Sequence, residues 1–390
     1  MGLAIAVGSL VAACGCTKES PDKAKSPEVP AVAEPAADDA KAPAPAPPPE
    51  PDPPIAALPT IELAGAAPAG DRYMILFRFD HLRTHGLSAA AESIIAPLPD
   101  YLRTFGARDP SEHGDLIANV FETVVLTTVD PSALTATTLA AHGPFKPKTM
   151  RKMLAYKASG LAWSNAIGGQ LGTITPGTRF GWDEPRVFLM PAPQWIMLAH
   201  PDTLNGLAAP VDSSNRKKRK RERLKNVEAP GAEAIKAWPG WMRQVLETDR
   251  QSRISTPELG DLLVTANIHG LEQMSGPLRF GQFDVPTPKD VTITAFAHAN
   301  GVRFQGSMKF DEEANAERFV KVAKGSKFAL EMKDVVAVLP PGSLEPLKKM
   351  TFYRDGRLVR WKTRATVAET EKMCAFSAAQ AARLMGAPVP

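Results

Sequence analysis

The segment FDHLRTH places Asp80, His81 and His85 close together. His81 and His85 are four residues apart, so a helix would set both imidazoles on one face, a spacing that can hold a divalent ion. A catalytic metal site wants a third ligand, and no other residue presents itself for that role. The alternatives are therefore a metal-dependent hydrolase built on His81 and His85, or polar residues at a strand end, and the second accounts for the missing ligand. His142, His200, His269 and His298 stand alone near expected strand ends or turns. Cys374 lies between Met373 and Phe376, as a small core residue would. The sequence contains no GxSxG, P-loop, GxGxxG or HExxH pattern. The Gly-rich stretch NAIGGQLGTITPGTRFG (165–181) lacks the Lys of a phosphate-cradling loop and reads as a surface loop. Trp238 and Trp241, in AWPGWMRQVL, are either an aromatic pair for a ligand or membrane, or anchors of a linker helix. No catalytic residue and no cofactor are assigned.

Charge is concentrated in SNRKKRKRERLKN. Arg216, Lys217, Lys218, Arg219, Lys220, Arg221, Arg223 and Lys225 surround one acid, Glu222. The whole chain carries +4, so the remainder without this run carries −3. The protein is therefore not basic in general, and arguments from charge concern that segment alone. Two classes of partner suit such a run: nucleic acid, or an anionic surface such as lipid head groups or phosphorylated glycans.

The N-terminus chooses between them. Leu3–Ala13 is apolar and uncharged, too short for a mature membrane span of about 20 residues but suited to the core of a signal peptide. It ends in Val11-Ala12-Ala13-Cys14, which resembles the lipobox of bacterial lipoproteins: a branched apolar residue, two small residues, then Cys. No Lys or Arg precedes the apolar stretch, a departure from that pattern. The resemblance covers about the first 16 residues. It implies that Cys14 becomes the lipidated first residue of the mature protein. Gly15, where inner-membrane lipoproteins carry Asp, implies the outer membrane. Thr17 to Gly70 then holds 14 of the 37 prolines, with Ala and scattered charge. Such a stretch buries too little to offset chain entropy and favours extended polyproline II, with a reach on the order of 150 Å. Export and membrane anchoring are hard to reconcile with nucleic acid, so the basic run reads as a solvated loop between the two halves or, in its functional reading, as a segment attracted to anionic lipid head groups or phosphorylated glycans.

Of the three cysteines, Cys14, Cys16 and Cys374, only the last falls in the expected folded region, so no disulfide framework or Cys-based zinc site is available. That region is expected to be α+β, with antiparallel sheets and packed helices. Strands are expected at Tyr73–Phe79, Leu116–Val129 and Leu134–Ala140, with a helix at Ser88–Phe105 broken by Pro97 and Pro99. Pro147–Ser159 reads as a helix, and RVFLM and QWIMLAH as paired strands. Further on come a strand at Asp261–His269, a hairpin turning at Asn300-Gly301, a helix capped by Asp311 and stopped by Gly325, a hairpin at Asp355-Gly356, and a terminal helix over Ala368–Met385. Leu134 to Val291, Gly160 to Gly325 and Arg186 to Met350 are similar offsets, so a duplicated two-layer module is one reading. The resulting plan is a signal peptide (1–13), a lipidated Cys and tether (14–70), one module (71–208), a basic linker and helix (209–254), and a second module (255–390). The function expected is that of a non-catalytic envelope lipoprotein.

Overall fold

The computed structural model describes residues 61, 63–96, 117–129, 137–157, 161–174, 185–211, 224–253, 259–271, 278–280, 283–298, 301–324, 346 and 349–384. The segments expected to be a signal peptide (1–13) and, for the most part, a lipidated Cys and tether (14–70), and residues 216–223 of the basic run, lie outside them.

Twelve strands form one antiparallel sheet. They are β1 (Tyr73–Arg78), β2 (Thr123–Thr128), β3 (Thr138–His142), β4 (Leu161–Ala166), β5 (Gly169–Ile174), β6 (Val187–Ala192), β7 (Trp195–Ala199), β8 (Asp261–His269), β11 (Asp290–His298), β12 (Gly301–Lys309), β13 (Thr351–Asp355) and β14 (Leu358–Ala365). A separate hairpin pairs β9 (Leu278–Phe280) with β10 (Phe283–Val285). Helices are sparser: α1 (Phe79–Thr84), α2 (Ser88–Ile95), α3 (Ile117–Val120), α4 (Pro147–Lys157), α5 (Ala232–Lys236), α6 (Gly240–Ser252), α7 (Glu313–Ala323) and α8 (Val367–Leu384).

The sheet order is β13-β14-β12-β11-β8-β1-β2-β3-β7-β6-β5-β4. This overturns the expected α+β architecture of separate sheets in a duplicated two-layer module. The structure is dominated by one continuous sheet, and the two halves of the chain fuse across β1 and β8, where Tyr73 lies opposite Ile268 and Phe77 opposite Val264. The physical reason is burial on both faces. β1 and β8 each carry apolar side chains toward both sides, so neither can serve as an exposed edge, and pairing them removes two edges at once. Outward from this seam the strand orders β1-β2-β3-β7-β6 and β8-β11-β12-β14-β13 correspond, but within one sheet.

One face of the sheet carries a cluster of Phe77, Leu139, Phe304 and Trp361 under side chains of α1, α2, α4, α7 and α8. The opposite face is closed only in part. There Met74, Leu76, Leu189 and Met197 pack with Trp238, Trp241, Met242 and Val245 of the α6 region and with Leu63 and Ala66. Gly306 shows how tightly the first face is packed. A Cβ there would overlap the carbonyl oxygen of Thr292 and lie 2.7 Å from the Trp361 ring directly opposite.

Local boundaries follow local chemistry. α2 ends at Ile95, ahead of Pro97. The expected strand Leu116–Val129 is instead a helical turn, α3, followed by β2. The N-cap of α7 is Glu312 rather than Asp311. At the start of α8, the Thr366 N–H donates to Glu369 Oε2 (2.7 Å) and the Glu369 N–H to Thr366 Oγ1 (3.2 Å), a reciprocal capping box. The turn between β13 and β14 uses Gly356 at φ +57°, in the left-handed region that glycine tolerates.

Candidate functional site

His81 sits in α1 and His85 caps its C-terminus. Each ring turns toward the start of β8: His81 Nδ1 lies 2.8 Å from the Leu262 carbonyl oxygen, and His85 Nε2 lies 3.2 Å from Asp261 Oδ2. Among the described residues, no group of three or more His, Cys, Asp or Glu is placed to hold a metal ion. The two imidazoles thus tie a helix to the sheet seam. His269 does similar work with Asp290, at 2.9 Å, and His200 Nδ1 accepts from the Asp202 N–H. Cys374 is buried, as expected of a core residue. Trp238 and Trp241 are buried as well, and Trp241 Nε1 donates to the Thr203 carbonyl (2.9 Å), so the pair anchors α6 instead of meeting a ligand.

A cluster of charged side chains lies where the ends of β1, β2 and β3 meet the C-terminus of α6. Arg78, 2% exposed, donates through Nε to Asp80 Oδ1 (3.0 Å), through a second nitrogen to Asp80 Oδ2, and through Nη1 to Ser252 Oγ (3.0 Å). Ser252 Oγ donates in turn to the Asp249 carbonyl (2.7 Å). The Asp249 carboxylate accepts from Thr123 Oγ1 and from Arg253 Nε (3.1 Å). Arg253 also donates to Glu122 Oε2 (3.1 Å) and lies 2.7 Å from His142 Nδ1.

Burial opposes ionisation of Asp80, but the hydrogen bonds and charge of Arg78 outweigh it and hold the carboxyl below its ordinary value. Burial lowers the His142 pKa, with Asp249 and Glu122 opposing and the Arg253 cation reinforcing the shift. The guanidinium donor requires Nδ1 of His142 to be unprotonated, which agrees with that direction. In this cluster the Ser252 hydroxyl gives its proton to a backbone carbonyl and His142 faces a cation, so no nucleophile meets a base. The arrangement can fasten α6 to the sheet. It does not assemble an acid–base or covalent centre.

The basic run gains its structural meaning from a residue the sequence did not single out. Asn165, at the end of β4, accepts the Val211 N–H on its backbone oxygen (3.3 Å) and the Lys225 N–H on its side-chain oxygen (2.9 Å). Gln170, opposite Asn165 on β5, donates to the Lys225 carbonyl and accepts from Arg151 of α4. An isolated bridge between Ala166 and Pro210 adds a further fastening. The chain thus leaves the edge of the sheet at Val211 and returns to it at Lys225, clasped at both ends on one residue. The Gly-rich stretch expected to be a surface loop is, through Ile174, the β4–β5 hairpin that supplies this clasp. Of the expected anionic-surface residues, Lys225 is described and exposed; Arg216, Lys217, Lys218, Arg219, Lys220, Arg221 and Arg223 lie outside the described residues, as does Cys14.

No protein-family model matches the chain, and no curated protein matches it. No helix among the described residues is long and apolar enough to cross a membrane. Among solved structures, crystal form I of TP0453 is 12% identical, with 83% of this chain and 98% of that chain covered at a TM-score of 0.40. Crystal form IV of TP0453 is also 12% identical, with 82% and 97% covered at a TM-score of 0.39. Likeness at that level carries neither a fold assignment nor a function to this chain.

Proposed function

We propose that this chain is a non-catalytic lipoprotein of the bacterial cell envelope. It is anchored through Cys14, held off the membrane by the Pro/Ala-rich tether, and carries a sheet domain that meets anionic envelope surfaces through the basic run 216–225. The outer membrane is the favoured location, on the strength of Gly15. The observation that carries the binding part is the clasp on Asn165: a segment with eight cations and one acid is held by both ends at a sheet edge. Fixing the ends lowers the entropic cost of presenting the segment to a partner. The anchoring part is supported by Val11-Ala12-Ala13-Cys14 and by the composition of the stretch that follows.

Feeding cells an alkyne-tagged palmitate analogue tests the anchor. Wild-type protein should take up the label and Cys14→Ser should not; uptake by Cys14→Ser at the wild-type level removes the lipoprotein reading. The basic run is tested by changing Lys217, Lys218, Arg219 and Lys220 to Gln. Binding to anionic vesicles at low salt should weaken, because each cation near such a surface contributes about 1 kcal/mol. Unchanged binding would reduce the run to a linker.

A further inference from the structure

The face of the sheet covered by α6 changes character from strand to strand. Beneath α6 it is apolar. At β8 and β11 it becomes a strip of Thr265, Asn267, Thr292 and Thr294, in which Thr265 and Thr294 hydroxyls lie 3.2 Å apart. At β12 and β14 it becomes cationic. Alternation decides which residues point there: Val359, Trp361, Thr363 and Ala365 of β14 are buried on the helix side, so Arg360, Lys362 and Arg364 point to the other. On β12, Val302, Phe304 and Met308 face the helices, leaving Arg303 and Lys309 on the opposite side. Lys309, Lys362 and Arg364 are exposed, and Arg303 and Arg360 are half-buried.

Register brings these cations together. Arg303 is directly opposite Arg364, Gln305 opposite Lys362, and Ser307 opposite Arg360. Like charges directly opposite on a sheet repel at a Cβ separation of about 5 Å. Among the described residues, Asp355 lies 3.6 Å from Arg360, and Asp290 is directly opposite Lys309 on the same face with its carboxylate 2.9 Å from His269; no carboxylate is at ion-pair distance from Arg303, Lys362 or Arg364. Among the described residues, the fold therefore leaves Arg303, Lys362 and Arg364 without a carboxylate partner, side by side on two neighbouring strands.

We propose that this face of β12 and β14 is a second binding surface, and that its partner is an anionic phospholipid bilayer. Charge complementarity carries the choice of an anion. Two guanidinium groups opposite each other can converge on the oxygens of one phosphate, which converts their repulsion into shared hydrogen bonding. The choice of a bilayer rests on the exposure of Lys362 and Arg364 beside Arg303 on neighbouring strands, and on the envelope reading above, which puts the domain beside a membrane.

The test uses the full chain with Cys14→Ser, so that no acyl group contributes. Co-sedimentation is measured at low salt with vesicles of phosphatidylcholine alone and of phosphatidylcholine mixed with phosphatidylglycerol; the neutral vesicles report any contribution of the apolar N-terminus. Arg303→Gln/Lys362→Gln/Arg364→Gln should bind the anionic vesicles at least tenfold more weakly, since each cation near such a surface is worth roughly fivefold in affinity. Arg303→Lys/Arg364→Lys, which keeps the charge, should retain most of the binding. A triple variant that binds as tightly as its parent overturns the proposal. If only the Lys217/Lys218/Arg219/Lys220→Gln variant loses binding, the basic run stands and the sheet face falls. Tight binding to soluble inorganic polyphosphate without binding to anionic vesicles would overturn the bilayer as partner. The anchor itself is judged separately, by palmitate labelling of the wild type.

Discussion

Replacing Arg78 with Met should cost about 3 kcal/mol of folding free energy. Arg78 is buried and makes three hydrogen bonds, two to Asp80 and one to Ser252. Removing one partner of a buried ion pair ordinarily costs about 3–5 kcal/mol. Asp80 is 27% exposed on its side chain and can regain water, which places the loss at the lower end of that range. The change shifts the unfolding equilibrium roughly a hundredfold, a large part of the stability of a typical domain. Methionine keeps most of the aliphatic volume, so the loss reports on the polar contacts.

Guanidinium unfolding at neutral pH measures the effect, with an unchanged slope showing that the unfolded state is unaltered. Arg78→Met/Asp80→Asn should recover at least half of it, because no carboxylate is then left without its partner. The pH dependence gives a second check. Since the Asp80 pKa is lowered in the fold, its stabilising contribution is fully present above the ordinary carboxylate value of 3.8 and is lost as pH falls through the folded value. The gap between wild type and Arg78→Met should therefore close in acid. A loss below about 1 kcal/mol, or a gap that does not narrow as acid protonates Asp80, would refute the assignment of this cluster as the fastening of α6.

Four further perturbations probe other parts of the structure. Asn165→Ala removes the acceptor of the Lys225 N–H; it should cost about 1 kcal/mol and speed tryptic cleavage within 216–225 relative to other sites, read by mass spectrometry. Gly306→Ala forces a Cβ against a backbone oxygen and the Trp361 ring, so thermal unfolding should show a loss of about 3 kcal/mol. Thr366→Ala breaks the capping box of α8 and should cost about 1 kcal/mol in denaturant unfolding. Because the His142 pKa is lowered in the fold, its contribution is fully present above the ordinary 6.5 and is lost as pH falls through the folded value; His142→Gln should therefore show a flatter stability profile below pH 6.5 than wild type.

Local chemistry was legible in the sequence where it acts over a few residues. The Asp355-Gly356 turn, the break ahead of Pro97 in the helix that begins at Ser88, and the amphipathic helix α7 follow from turn geometry, proline sterics and period, and each is found in the structure within a few residues. What escaped depends on contacts far apart in the chain. Nothing near Tyr73 says that its strand pairs with residues around Ile268, so the single sheet was out of reach. Asn165 and Gln170 look like polar residues of a Gly-rich loop until residues 55 to 60 positions later reach them. The cationic face had a visible signal, since Arg360, Lys362 and Arg364 alternate at the strand period. That signal is weaker than the contiguous run at 216–225, and only pairing with β12 adds Arg303 and completes it.

The central claim, an anchored envelope protein, is tested most directly by intact-mass measurement of the protein extracted from membranes of a producing bacterium. The account predicts a mature chain that begins at Cys14 and carries a diacylglyceryl group on its thiol. A mass showing an unmodified Cys14 thiol, or a chain still carrying the Leu3–Ala13 segment, would contradict it.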